Sequence, residues 1–138
     1  SDSRQINGYY AIISNLERIG DHAVNIAEYA DDMKKWDLNF SDGVKEEFEE
    51  MKKQSIAALK NVTEVSADNT ERVLSQAVVM EQKTDDMRDK YFKKQMQRLK
   101  KGKCKPQSGI VFSEILTDFE RMGDHTLNIA QQYREMES

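Results

Sequence analysis

Apolar residues recur at three- and four-residue spacing along most of the chain, and three interruptions divide that pattern into four predicted helices. The first runs from about Arg4 to Lys35, with Ile12, Ile13, Leu16, Ile19, Ala23, Ile26, Ala27 and Ala30 expected to face inward. It stops within Trp36-Asp37-Leu38-Asn39-Phe40, after which Ser41 or Asp42 is placed to cap a second helix. Glu46 and Glu47 follow just inside, where the helix dipole favours acids. Val44, Phe48, Met51, Ala58, Leu59 and Val62 form the apolar stripe of that helix. A break near Asp68-Asn69 precedes a third helix, roughly Thr70 to Lys101, with Val73, Ala77, Met80, Thr84, Met87 and Tyr91 inward. The basic stretch Lys100 to Pro106 then leads into a fourth, about Ser108 to Met136, with Ile115, Phe119, Met122, Thr126 and Ile129 inward. No window alternates at two-residue spacing, so an all-α antiparallel helical bundle with short loops is expected.

A repeat adds a constraint to this picture. Glu-Arg-(Ile/Met)-Gly-Asp-His-x-(Val/Leu)-Asn-Ile-Ala occurs at Glu17 to Ala27 and again at Glu120 to Ala130, an offset of 120 − 17 = 103 residues. That distance signals duplication of a whole structural unit. Residues 41–138 then form one complete three-helix unit, and residues 1–40 hold the last helix of a truncated preceding one. The chain opens with Ser1, which fits a fragment or a processed product. A long amphipathic helix without its own partners must dock, either completing a four-helix bundle or packing on a second copy.

Glu, Asp and Asn recur at i, i+4 and i+8 in both copies, which aligns Glu17, Asp21 and Asn25, and likewise Glu120, Asp124 and Asn128. With Leu16 at the centre of the first helix's apolar face, Glu17 lies about 100°, Asp21 about 140° and Asn25 about 180° away. Glu81 and Asp85 hold the same two places beside Met80 on the third helix. Converging carboxylates repel unless a cation neutralises them. An oxygen-only set suits magnesium, manganese, calcium or iron better than structural zinc. The bare Glu-x-x-x-Asp pair is cheap in a chain with 25 acids: six occur where chance gives roughly one, and a solvated acidic face competes with a metal site. Its recurrence in a fixed frame with Gly, His and Asn is more specific.

Gly20 and Gly123 sit inside helices, where Gly costs about 1 kcal/mol relative to Ala, so close helix approach or ligand access to the backbone is expected there. His22 and His125 each directly follow the motif Asp, about 100° round the helix, and therefore read as structural or supporting groups, not as co-ligands. Arg18 and Arg121 pair with neighbouring acids or help hold an anion such as phosphate.

Composition narrows the function classes. A net charge of −4 argues against a general nucleic-acid surface, and no apolar run reaches transmembrane length in these residues. The one cysteine, Cys104, cannot form an internal disulfide, which fits a reducing compartment. The lysine-rich loop around it is either flexible and solvated or suited to anionic headgroups or an acidic partner. Neither histidine has a Glu three positions before it, as di-iron bundles require, and no Gly-rich phosphate loop or HExxH occurs. The chain therefore does not read as an enzyme; a metal-dependent hydrolase built on the carboxylates is the rival.

Leu-Glu-Arg-Ile-Gly-Asp-His-Ala-Val-Asn-Ile-Ala-Glu, residues 16 to 28, resembles the signature of the PhoU family of phosphate-uptake regulators. Residues 119 to 130 repeat it, and Glu81-x-x-x-Asp85 is similar to that family's middle-helix motif. The resemblance implies two three-helix units and multinuclear metal clusters of iron or zinc. Carried to this chain, the ligands would be Glu81, Asp85, Glu120 and Asp124, with Glu17 and Asp21 in the truncated unit. Asn25, Asn128, His22, His125, Arg18 and Arg121 would support them, and manganese or magnesium also suits such ligands. The N-terminal run through His22 is similar to the cytoplasmic PhoU-like domain of bacterial sodium/phosphate cotransporters. That implies a place at the inner face of the membrane and, as partner, the transmembrane part of the same transporter or a phosphate-signalling protein. A homodimer through the unpaired first helix, a free-standing PhoU regulator and a metal-free interaction scaffold are the alternatives.

Overall fold

The computed structural model describes residues 2–137, and among them the chain forms four α-helices and no strand: α1 (Asp2–Lys35), α2 (Asp42–Thr63), α3 (Thr70–Lys100) and α4 (Pro106–Glu137). Local chemistry fixes the ends. Ser41 caps α2, its Oγ accepting from the Val44 N–H at 3.3 Å. Pro106 occupies the first position of α4, where its missing N–H is no loss. At the end of α3, Gly102 takes φ +66°; its N–H reaches the Leu99 carbonyl and that of Lys103 the Arg98 carbonyl, a Schellman turn. The end of α1 repeats this device with Asp37 at φ 51°, an angle Asp tolerates better than most residues. There the Leu38 N–H bonds the Met33 carbonyl at 2.8 Å, and both side chains are buried.

The helices run antiparallel in sequence, and α4 is the centre. It carries buried residues on opposite sides, among them Phe112, Ile115, Leu116, Phe119, Met122, Ile129 and Ala130. α2 and α3 pack together and cover one side of α4; α1 covers the other, meeting neither α2 nor α3 among the described residues. Phe48 stands edge-on to Phe119 at 5.6 Å between centroids, and Phe40 to Phe112 at 5.5 Å. Between α2 and α3, Glu47 is buried against Arg98, whose Nη1 donates to Glu47 Oε1 and Gln95 Oε1, both at 3.0 Å.

One helix departs from the periodic expectation. On α1 the buried residues are Gly8, Ile12, Ile19, Ile26 and Met33, so the apolar seam repeats every seven residues from Ile12 onward. Ile13, Leu16, Ala23, Ala27 and Ala30, expected inward, are exposed. The reason is the number of neighbours. A helix with a single partner buries only a narrow seam, as in a coiled coil, whereas α4 is covered from two sides. Leu16 and Phe119 occupy the same motif position, yet Leu16 is 50% exposed and Phe119 only 4%. Centring α1's face on Leu16 is therefore corrected to the Ile12–Ile19–Ile26 line.

Candidate metal centre

Thr84 is buried on α3 beside α4, so residues three before and one after it flank the α3–α4 seam. Those residues are Glu81 and Asp85. On α4 the adjoining position is Asp124, next to Gly123. A Cβ added at Gly123 would meet Thr84 Cγ2 at 3.3 Å, so the helices approach closely here, as the sequence led one to expect. Gly20 differs: nothing lies within 4 Å of an added Cβ, and the expected close packing at that copy is absent.

This approach brings together Glu81, Asp85 and Asp124, with one carboxylate oxygen from each within 4.8 Å of the others. Glu81 and Asp85 are half-buried and Asp124 is exposed, so the cluster sits at the mouth of the seam. The electrostatic cost falls on Glu81, whose carboxyl is pushed up to about 7, first by a hydrogen bond with Asp85, then by burial and by Asp124. Glu120, one turn before Asp124, is raised as well. Burial is the main cause, Asp85, Asp124 and Asp89 add to it, and Arg88 opposes it. Arg88 Nε stands 3.4 Å from Glu120 Oε2, an ion pair misaligned for a hydrogen bond, while its guanidinium lies over the Phe92 ring at 4.9 Å.

The donor set fits a hard cation. Three carboxylate oxygens converge, and the exposed side leaves room for water ligands. Glu120 borders the cluster without joining it. Glu17 and Asp21 lie exposed on α1, and the structure brings them into no acidic cluster among the described residues.

The residues expected to support the ligands divide between the α1–α4 seam and the surface. His22 Nδ1 donates to Asp118 Oδ1 at 2.8 Å, and Asn25 Nδ2 reaches the same oxygen at 3.4 Å. In the other copy, His125 Nδ1 donates to Asn15 Oδ1 at 3.0 Å, and Asn128 Nδ2 reaches that oxygen at 3.3 Å. Asn15 and Asp118 are themselves 118 − 15 = 103 residues apart, so the two sets are related by a local two-fold between α1 and α4. The imidazoles stack across it, 5.8 Å between centroids. These four motif residues therefore fasten α1 to α4. Burial, with His22 and Arg18 nearby, holds the His125 pKa below the usual histidine value. Arg18 and Arg121 are exposed. Sequence reasoning missed Asn15, Asp118 and Arg88. The first two were detectable as polar residues seven before each histidine, at inward spacing, in both copies.

The raised Glu81 carboxyl makes a prediction for the metal-free protein. Between about 4.5 and 7 the folded state keeps a proton that the unfolded state has released, so stability falls as pH rises through that window and levels off above it. Glu81→Gln should flatten this part of the profile. Urea denaturation across that range, in the presence of a chelator, checks it; an unchanged slope in the variant would count against the shift.

Comparison with known families bears on what such a site is for. The chain matches the family described as the PhoU domain over residues 1–30 and 48–133, which include both motif copies and the Glu81–Asp85 pair. It belongs to the PhoU domain family. Comparison with curated proteins and with solved structures gives no match. No helix among the described residues is long and apolar enough to cross a membrane.

Proposed function

We propose that this PhoU domain is a regulatory module in phosphate uptake that works by binding, not by catalysis. Metal held by Glu81, Asp85 and Asp124 would fix the α3–α4 face that a partner reads. The observation that carries this reading is the convergence of three carboxylates from two helices of a PhoU domain. An all-oxygen set favours magnesium, manganese or iron over structural zinc. The similarity of the N-terminal run through His22 to the cotransporter branch supports reading the parent protein as a sodium-dependent phosphate transporter, whose transmembrane part would be the partner at the inner face of the membrane. The exposed side of α1, with Ile13, Leu16 and Val24, is then available to the rest of that protein or to a second copy.

The test has two arms. Isothermal titration of the chelator-treated chain with Mn²⁺ or Fe²⁺ should show binding that disappears in Asp85→Asn/Asp124→Asn. In cells, the same pair of substitutions in the parent protein should alter uptake of labelled phosphate. Metal binding without an uptake effect would reduce the site to a structural clamp. Turnover of phosphate esters that vanishes in Glu120→Gln would replace the regulatory reading by a hydrolase.

A further inference from the structure

From Lys90 to Lys105 the chain has eight basic residues and no acid, within a protein whose net charge is −4. Arg98 is taken up by Glu47, and Lys90 and Lys94 line a cavity with Glu46 and Glu50 of α2; Lys93, Lys100, Lys101, Lys103 and Lys105 are exposed. They occupy the last turns of α3 and the α3–α4 connection. The antiparallel order brings the α1–α2 connection to the same end: Asn39, Phe40 and Ser41 line one shallow cavity with Lys103 and Cys104. That connection begins at Trp36, 50% exposed, directly after Lys34 and Lys35. Ile110, in the first turns of α4, is 64% exposed. Asp37 lies on the α1–α2 connection and Asp42 opens α2, so the basic surface belongs to the α3–α4 side.

Many lysines around a few exposed apolar side chains are the chemistry of an anionic lipid surface. Each lysine near such a surface gains from its negative potential, and an indole is at home at the headgroup level. A protein interface favours arginine and is depleted in lysine, whereas the exposed cations of this connection are all lysines. We infer that this end of the bundle docks on anionic membrane through the lysines of the α3–α4 connection, with Trp36 as the residue that enters the headgroup layer. The inference is independent of the metal centre, which lies further along the same α3–α4 seam.

Trp36 is the only tryptophan, so its emission reports contact directly. The experiment mixes the chain with phosphatidylcholine vesicles, with and without phosphatidylserine, and follows co-sedimentation and Trp36 fluorescence. Retention and a blue shift are expected only with phosphatidylserine, weakening as salt is added. Replacing Lys100, Lys101, Lys103 and Lys105 by Gln should weaken binding by at least about 100-fold with helix content unchanged. Lys60→Gln/Arg72→Gln, near the opposite end, should leave it intact. No retention on phosphatidylserine vesicles, or retention that survives loss of the four lysines, overturns the inference. Capture by soluble polyglutamate without vesicle binding would overturn it too, assigning the surface to an acidic protein.

Discussion

Phe112→Ala is expected to remove about 3–5 kcal/mol of stability, the usual cost of emptying a fully enclosed aromatic site. Phe112 is 0% exposed in the first half of α4 and meets Phe40 edge-on. Truncation therefore strips a partner from the α1–α2 connection as well as leaving a void inside α4's surroundings. That is a large share of a typical domain's roughly 5–15 kcal/mol, and the melting temperature should drop by roughly 10 °C or more. Urea and thermal denaturation measure it. A loss below about 1 kcal/mol would mean that the neighbouring side chains collapse into the space, and that Phe112 is not the keystone of this end.

Asp118→Ala should cost about 2 kcal/mol, and its effect should be confined to one helix. Asp118 is buried and accepts from both His22 and Asn25, so removing it leaves two donors of α1 without an acceptor on α4. Among the described residues α1 packs on α4 alone. Hydrogen exchange measured by mass spectrometry should accelerate along α1 while α3, held by α2 and α4, stays protected. Asp118→Asn should recover most of the loss, because an amide oxygen can still accept from His22. The molecule already contains that solution at Asn15, which accepts from His125. Uniform acceleration across α1 and α3 would show that the α1 seam is not an independent unit.

The helices were legible because their signals are local. Ser41, Pro106 and the Gly102 turn mark ends that backbone chemistry dictates, and α1 and α4 each begin two residues earlier than expected. What each helix touches was not legible in the same way. Leu16 and Phe119 share a motif position and differ in burial because α1 has one neighbour and α4 has several, a property of the assembly that no local pattern carries. The carboxylates illustrate the same limit. Spacing placed Glu81 and Asp85 on one line, but only the crossing at Thr84 and Gly123 decides that Asp124 meets them while Glu17 and Asp21 stay apart. The histidines were readable as structural groups by their angle from the motif Asp. Their partners were hidden because Asn15 and Asp118 are different residue types, so the match between copies becomes visible only when position, not identity, is compared.

The seven-residue spacing of Ile12, Ile19 and Ile26 has one more implication. An apolar seam with equal intervals is ambiguous about alignment: sliding α1 by seven residues along α4 would again set isoleucine where isoleucine had been. The polar pairs remove that ambiguity. A slide of that length would carry His22 away from Asp118 and Asn15 away from His125, breaking both imidazole pairs at once. The hydrophobic positions thus let α1 adhere, and the two histidines decide where along α4 it stops.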